Sequence, residues 1–257
     1  MKTFAINGIN LAYTRQGKGT PLMLVHGFPL DSSSWNEIIP LLENDFDIIS
    51  PDLRGFGQST PKEAQYSISD MADDLAGLLD HLKVEKTAMV GHSMGGYVAL
   101  AFAKKYPNRV SGLGLVSSQA AGDPPERKEG RYKTAADVAE KGVGVVVEAM
   151  TPKLSADARV QAFVRGVIEK QSKAGVIGGL KAMAEREDLT SILLSFQFKL
   201  VLIHGDADAL IPIDRAKEIK TLVPSAKLIE LKGAGHMPMM EFAKETADAL
   251  RLLESKK

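Results

Sequence analysis

The spacing of apolar positions changes several times along this chain, and each change marks an element. Phe4-Ala5-Ile6, Asn7-Gly8 and Ile9 to Tyr13 predict a β-hairpin, because Asn-Gly tolerates the positive φ angles of a tight two-residue turn. Leu22 to Val25 is a continuous apolar run that ends at His26-Gly27. Phe46 to Ser50 is a second, closed by Pro51-Asp52. Both read as buried strands. Ile68, Met71, Leu75, Leu78, Leu79 and Leu82 recur at helical spacing and predict an amphipathic helix. Thr87 to Val90 is a strand, Tyr97 to Lys104 a helix and Val110 to Val116 another strand. Late in the chain, Leu200 to Ile203 is a strand, Asp214 to Leu222 a helix, Lys227 to Leu231 a strand and Glu245 to Leu253 a final helix.

Strands that are apolar on both faces and alternate with helices predict an α/β fold, with a mostly parallel sheet flanked by helices. The rhythm breaks in 119–195, where strand-like runs are scarce. Ala135, Val138, Val145 and Ala149 suggest one helix there, weakened by Gly142 and Gly144. Val160, Phe163, Val164 and Val167 suggest a second. Val176, Leu180, Met183 and Ala184 suggest a third. This stretch reads as a helical cap over the C-terminal edge of the sheet, inserted into a core formed by 1–118 and 196–257. Ordinary crossover helices are the alternative. No internal repeat or low-complexity segment interrupts the chain.

Composition narrows the chemistry. The 257 residues suffice for one large domain. Lysine plus arginine equals aspartate plus glutamate at 32 each, and no basic run stands out. Capture of nucleic acid or of an anionic membrane therefore has no electrostatic footing. With no cysteine, disulfides, thiolate nucleophiles and cysteine-ligated zinc are excluded. No stretch reaches the roughly 18 apolar residues of a membrane span, and the first residues lack the apolar core of a signal peptide. The expectation is a cytoplasmic protein.

The reactive pattern lies in Gly91-His92-Ser93-Met94-Gly95, between a predicted strand and a predicted helix. That is the setting of a nucleophile elbow, a sharp turn that holds a serine hydroxyl clear of the chain. The plainer alternative is a turn with a solvated serine. Serine needs a base. Of five histidines, His81 reads as a surface residue, and His26, His92 and His204 as packed, hydrogen-bonded ones. His236 lies in a loop after the last strand and follows the other candidates, the order nucleophile, acid, histidine. Asp206 and Asp208 both sit past the strand ending at His204, and either suits the acid that orients the imidazole. Asp123 is a third candidate. Oxyanion donors are expected at the N–H of Phe28, in His26-Gly27-Phe28-Pro29, and of Met94 at the helix start. Pro29 has no N–H to give. Asp52-Leu53-Arg54-Gly55-Phe56-Gly57 lacks the lysine of a phosphate loop and reads as a structural turn with an internal Asp52–Arg54 contact.

Taken in order, VHGFPLDSSSW, PDLRGFGQS, GHSMGG, HGDADALIP and GAGHMPMME resemble the α/β-hydrolase superfamily over nearly the whole chain. The resemblance implies an eight-stranded, mostly parallel sheet with a cap inserted after the sixth strand. It implies Ser93, Asp208 and His236 as catalytic triad, with Phe28 and Met94 as oxyanion donors. Within the superfamily the chain is similar to small bacterial carboxylesterases and to enol-lactonases of aromatic catabolism, whose cap ends in runs like AMAEREDLTSIL. Serine at the elbow, where dehalogenases and epoxide hydrolases carry aspartate, favours acyl transfer. Perhydrolases and hydroxynitrile lyases that keep serine pass the same test. Relatives usually show Glu followed by Pro a few residues after the histidine; this chain has Glu241-Phe-Ala-Lys.

The leading expectation is a serine esterase for small-molecule esters with short to medium acyl chains, needing no metal or organic cofactor. Phe28, Met150, Phe163, Val167 and Met183 are its candidate pocket residues. A lactonase or C–C bond hydrolase is the second expectation, with Arg127, Arg131, Arg159 or Arg165 holding a substrate carboxylate. A non-catalytic ligand-binding or signalling protein on the same scaffold is the third.

Overall fold

The computed structural model describes residues 1–61 and 65–254. Its eight strands form one sheet in the order β1-β2-β4-β3-β5-β6-β7-β8. They are β1 (Lys2–Ile6), β2 (Ile9–Gly17), β3 (Thr20–Val25), β4 (Phe46–Pro51), β5 (Thr87–His92), β6 (Val110–Val116), β7 (Lys199–Gly205) and β8 (Lys227–Leu231). The β1–β2 and β2–β4 pairs are antiparallel, and every other pair is parallel. The hairpin forms at Asn7-Gly8, both with positive φ, and pairs Ile6 with Ile9.

Ten α-helices accompany the sheet among the described residues: α1 (Ile39–Leu42), α2 (Ile68–His81), α3 (Met94–Lys105), α4 (Pro125–Lys141), α5 (Gly144–Leu154), α6 (Ala158–Ile168), α7 (Lys173–Ala184), α8 (Asp214–Leu222), α9 (Pro238–Glu241) and α10 (Ala243–Leu250). The strand core is apolar on both faces. Leu22, Met23, Leu24 and Val25 are wholly buried, as are Ala88, Met89 and Val90 on β5. Helix α2 begins at a capping box: the Ser67 hydroxyl accepts from the Asp70 N–H and the Asp70 carboxylate accepts from the Ser67 N–H. Such a cap is worth about 1 kcal/mol.

Sheet order places the site. The chain leaves β3 toward β4 on one side and leaves β5 toward β6 on the other, although β3 and β5 are neighbours. The loops after these two strands open a crevice at the topological switch point, where open α/β sheets bind ligands. Four helices, α4 to α7, fill the chain between β6 and β7. The sequence pattern suggested three. The helix expected across 135–149 is two, because Gly142 takes φ 86° and ends α4 there. A residue with a Cβ is strained in that conformation.

The turn after β4 departs from expectation. Asp52 and Arg54 do not pair. Asp52 accepts hydrogen bonds from the N–H groups of Ser32 and Gln58, at 2.9 and 2.8 Å. Arg54 makes a fork to Asp74 on α2, with Nε and Nη2 at 2.6 and 2.7 Å. Both side chains of this pair are at most 3% exposed. Both Asp52 oxygens are taken by main-chain N–H groups, whereas the two oxygens of Asp74 match the planar fork of the guanidinium.

Removing one member of that pair leaves a buried charge alone. Arg54→Ala or Asp74→Ala should therefore lower stability by about 3–5 kcal/mol, read from urea unfolding. The double variant Arg54→Met/Asp74→Leu should lose less than either single change, since no unpaired charge remains.

Candidate active site

Ser93 occupies the junction between β5 and α3 with φ 51° and ψ −115°. A side-chain-bearing residue adopts this backbone only when its surroundings impose it. Here the Ser93 N–H donates to Val116 O at 2.9 Å. Its carbonyl accepts from the Gly96 N–H and from the Ser118 hydroxyl, at 2.9 and 2.8 Å. The flanking glycines are a packing requirement. A Cβ on Gly91 would meet Gly95 O at 2.1 Å, and one on Gly95 would meet Val25 O at 2.2 Å. The turn closes only because neither residue has a side chain.

His236 sits in the loop between β8 and α9. Its Nδ1 is 2.7 Å from Asp208 Oδ2. Asp208 lies in the loop after β7, its side chain fully buried. Its Oδ1 accepts from the N–H groups of Leu210 and Ile211 at 2.9 and 3.0 Å. His204 Nε2 is 2.7 Å from Ile211 O and 3.4 Å from Asp208 Oδ2. Burial alone would raise the Asp208 pKa, but the adjacent His236, the contacts of both histidines and the Ile211 N–H outweigh it. They hold the carboxyl far below the usual range. An ionised acid on Nδ1 keeps the proton there and leaves Nε2 free to accept one. Asp206 does something else. Its Oδ1 accepts from the Gly233 N–H at 2.6 Å and closes the loop. Asp123 lies among arginines, at 2.8 Å from Arg186 and in contact with Arg131.

His92 ties the site segments together. Its Nε2 lies 2.8 Å from His236 O, so that nitrogen carries the proton. The two imidazole centroids are 4.9 Å apart. The other nitrogen, Nδ1, is buried without a hydrogen-bond partner among the described residues. A Cβ on Gly27 would approach it to 2.5 Å. The turn after β3, the elbow and the histidine loop thus meet at one ring. Burial first, and then the neighbouring His236, push the His92 pKa down to about 3. No hydrogen bond joins Ser93 to His236 among the described residues; such contacts commonly tighten only with substrate bound.

A cavity of about 340 Å³ opens on Ser93. Phe28 and, from α3, Tyr97 line it together with Met150 of α5 and Leu180 and Met183 of α7. Of the candidate pocket residues, Phe28, Met150 and Met183 line this cavity. Phe163 and Val167 do not line this cavity. They lie on α6 and pack, partly buried, against the hydrophobic core. Arg159 and Arg165 also point elsewhere, to Glu37 and Glu148. Arg127 and Arg131 do line the cavity, together with Lys153. The N–H groups of Phe28 and Met94 make no main-chain bond between elements among the described residues. Met94 is the first residue of α3, so its N–H has no intrahelical acceptor either.

Sequence reasoning passed over Glu241. Its carboxylate accepts from the Gly235 N–H at 2.7 Å and contacts the Ser155 hydroxyl, while the His236 N–H donates to Leu154 O at 3.1 Å. The histidine loop is thereby fastened to the end of α5. Only the family's usual glutamate at this position hinted at it. No group of three or more His, Asp or Glu among the described residues is arranged to hold a metal, and no helix is long and apolar enough to cross a membrane.

Residues 20–243 match the family model described as the alpha/beta hydrolase fold. The chain belongs to the α/β-hydrolase family. A thermophilic esterase from Thermogutta terrifontis, solved with malate bound, superposes with TM-score 0.93 at 37% identity, over 98% of this chain and 97% of that one. The enol-lactonase from Burkholderia xenovorans LB400 superposes with TM-score 0.91 over 98% and 99% of the two chains; at 24% identity it attests the fold. Among curated proteins, the dihydrolipoyllysine-residue acetyltransferase component of an acetoin cleaving system from Pseudomonas putida is 32% identical over 236 residues. The match takes in 88% of this hydrolase-family chain and 61% of that protein's length.

Two measurements probe this geometry. Asp208→Asn should lower kcat by orders of magnitude by misplacing the imidazole proton, whereas Asp206→Asn should cost far less; equal losses would reverse the assignment. The second concerns acid stability. An unfolded histidine takes up a proton near pH 6.5, whereas folded His92 stays neutral down to about pH 3. The unfolded chain binds more protons between those values, so stability should fall as pH falls through that window. His92 adds at most about 1.4 kcal/mol per pH unit to the slope. Buried His26, also shifted down, acts in the same direction. His92→Gln should flatten the slope measured by urea unfolding at a series of pH values.

Proposed function

We propose that this protein is a serine hydrolase that cleaves carboxylic esters through an acyl-enzyme. The observation that carries the reading is the buried Asp208–His236 pair at 2.7 Å, set against an elbow that holds Ser93 at positive φ. Ser93 Oγ attacks the ester carbonyl while His236 Nε2 takes its proton. The N–H groups of Phe28 and Met94 stabilise the oxyanion. His236 returns the proton to the departing alcohol, then activates water to release the acid. No residue in this sequence of steps requires a metal or organic cofactor. Residues 119–195 act as a cap that supplies most of the substrate pocket over the core of 1–118 and 196–257. A cytoplasmic setting, with small-molecule esters as partners, belongs to the same reading.

Acyl chains of short to medium length suit the cavity, whose walls carry Met150, Leu180 and Met183. Each methylene buried there is worth roughly 0.8 kcal/mol, or about fourfold in kcat/KM, until the space is full. One observation favours a second reading. Arg127, Arg131 and Lys153 line the same cavity, and none of its described lining residues is acidic. A substrate bearing a carboxylate, as for an enol-lactonase or a C–C bond hydrolase, would meet those cations.

Ser93→Ala should abolish labelling by a fluorophosphonate and reduce kcat by several orders of magnitude, while the oxyanion donors keep some residual rate. Persistent single-site labelling with normal turnover would overturn the assignment. In the native protein, kcat/KM for aryl esters should rise over the first few acyl carbons and then fall. A flat profile with strong preference for a carboxylate-bearing lactone would favour the second reading instead.

A further inference from the structure

Tyr97 has a position that the ester-cleaving steps do not use. It lies one turn along α3 from Ser93, nearly buried at 4% exposure. It lines the cavity that opens on Ser93 and also a second cavity of about 320 Å³. The surface of that second space is mainly apolar, from Ile68 at the start of α2, Leu100 and Ala101 on α3, and Leu189, although Lys104, Lys105, Glu185, Arg186 and Glu187 also border it. Tyr97 is the one described residue that lines both.

The ring is also clamped. The Arg186 guanidinium lies over its face, 4.1 Å from the centroid, in the geometry of a cation–π contact. Arg186 is itself fixed. Its Nη1 is 2.8 Å from Asp123 and 3.0 Å from Met183 O, and its Nη2 is 2.9 Å from Ala121 O. Asp123 in turn contacts Arg131 on α4. Burial works against charge on Asp123, but Arg131 and Arg186 hold its carboxyl below the usual range. A guanidinium held at three points presses the ring in place, so the wall is rigid where a lone tyrosine could swing aside.

We propose that Tyr97 is the partition that sets the longest chain the active site accepts, and that the cavity behind it is a closed-off extension of the substrate pocket for linear alkyl chains. This inference rests on the proposed ester-cleaving reading of the Ser93 cavity. Volume is the physical reason. Tyr97 borders the cavity on Ser93, and a second space of nearly equal size, its surface mainly apolar, borders the same residue. Truncating the ring joins the two. A chain already filling the first space then continues to bury methylenes in the second, and each one adds to binding. Tyr97 is thus a specificity-determining residue that takes no part in proton transfer.

The test uses two ester series, one graded in acyl length and one in alcohol length, on the full chain. Tyr97→Ala should move the optimum of one series to longer chains. It should raise kcat/KM for esters just beyond the native limit by more than about tenfold, as about two further buried methylenes would do. Ala101 lies one turn further along α3 and lines only the second cavity. Adding Ala101→Phe to Tyr97→Ala should refill that space and bring the optimum back. A general loosening of the fold would not be reversed in this way. If Tyr97→Ala does not fold, Tyr97→Leu carries the test with a smaller shift. Folded Tyr97→Ala or Tyr97→Leu with native optima in both series overturns the partition, as does a shift that Ala101→Phe leaves in place. A native protein that cleaves no ester of either series is a failure of the ester-cleaving reading instead. The partition is then read without turnover, from calorimetric binding of n-alkanoic acids and n-alkanols. Their affinity should stop rising at a chain length that Tyr97→Ala extends, and an unchanged limit overturns the proposal.

Discussion

The positive φ of Ser93 is the constraint around which this molecule is arranged. A strand that ends in an unfavourable backbone conformation and passes at once into a helix needs support from every side. The end of β6 supplies it through Val116 O and the Ser118 hydroxyl. The end of β3 supplies it by letting Gly95 come against Val25 O. Both neighbours must be parallel strands of matching height, so the turn presupposes the β3-β5-β6 order of the sheet. The same order brings the start of α3 against the segment that follows β3, where a Cβ on Gly95 would also meet His26 O at 2.6 Å. One strained residue therefore ties strand order, helix placement and the crevice above the sheet into a single requirement.

Around that turn, burial decides which groups are charged. Asp208 stays ionised under cover because two N–H groups and two histidines face its oxygens. His92 and His26 lack sufficient compensation and are held neutral. As neutral rings they serve as spacers with hydrogen bonds: His26 Nε2 accepts from the Leu53 N–H at 2.9 Å, and His92 donates to the carbonyl of His236. Among the helices between β6 and β7 a second set of charges gathers, in which Asp123 meets Arg131 and Arg186, and Arg186 reaches the core through the Tyr97 ring. That cluster stands behind the wall of the cavity. The packing of the helical layer and the shape of the cavity are consequently the same problem.

Much of this was legible in the sequence, because it depends on short-range chemistry. Alternation, unbroken apolar runs and helical spacing follow from backbone geometry, and they located the strands and main helices, although β2 runs on to Gly17 and the last α-helix is Ala243–Leu250. Asn7-Gly8, Gly91 and Gly95 are backbone demands that few residues meet, so they announced a hairpin and an elbow. The resemblance carried Ser93, Asp208 and His236 together, and the structure brings Asp208 against His236 while Asp206 closes its own loop. The split of one expected helix at Gly142 was visible as two glycines, but propensity alone does not say whether a helix bends or stops.

Side-chain partners were another matter. Arg54 reads as a neighbour of Asp52, yet it crosses to Asp74 on α2, twenty residues away. Phe163 and Val167 have the same apolar character as Met150 and Met183, and only the facing of α6 turns them away from the cavity to pack, partly buried, against the core. Four arginines of the helical layer look alike in the sequence. Two meet surface glutamates and two border the cavity. Tyr97 gave no signal at all beyond its place in an apolar helix. The sequence by itself determined the elements, the sheet class and the candidate reactive residues, because each is encoded by local pattern or by motif. Which face of each helix turns inward, which charge meets which, and where a cavity ends were decided only in the tertiary structure. Those properties arise from contacts between segments far apart in the chain, whose energies depend on distances that no local spacing records.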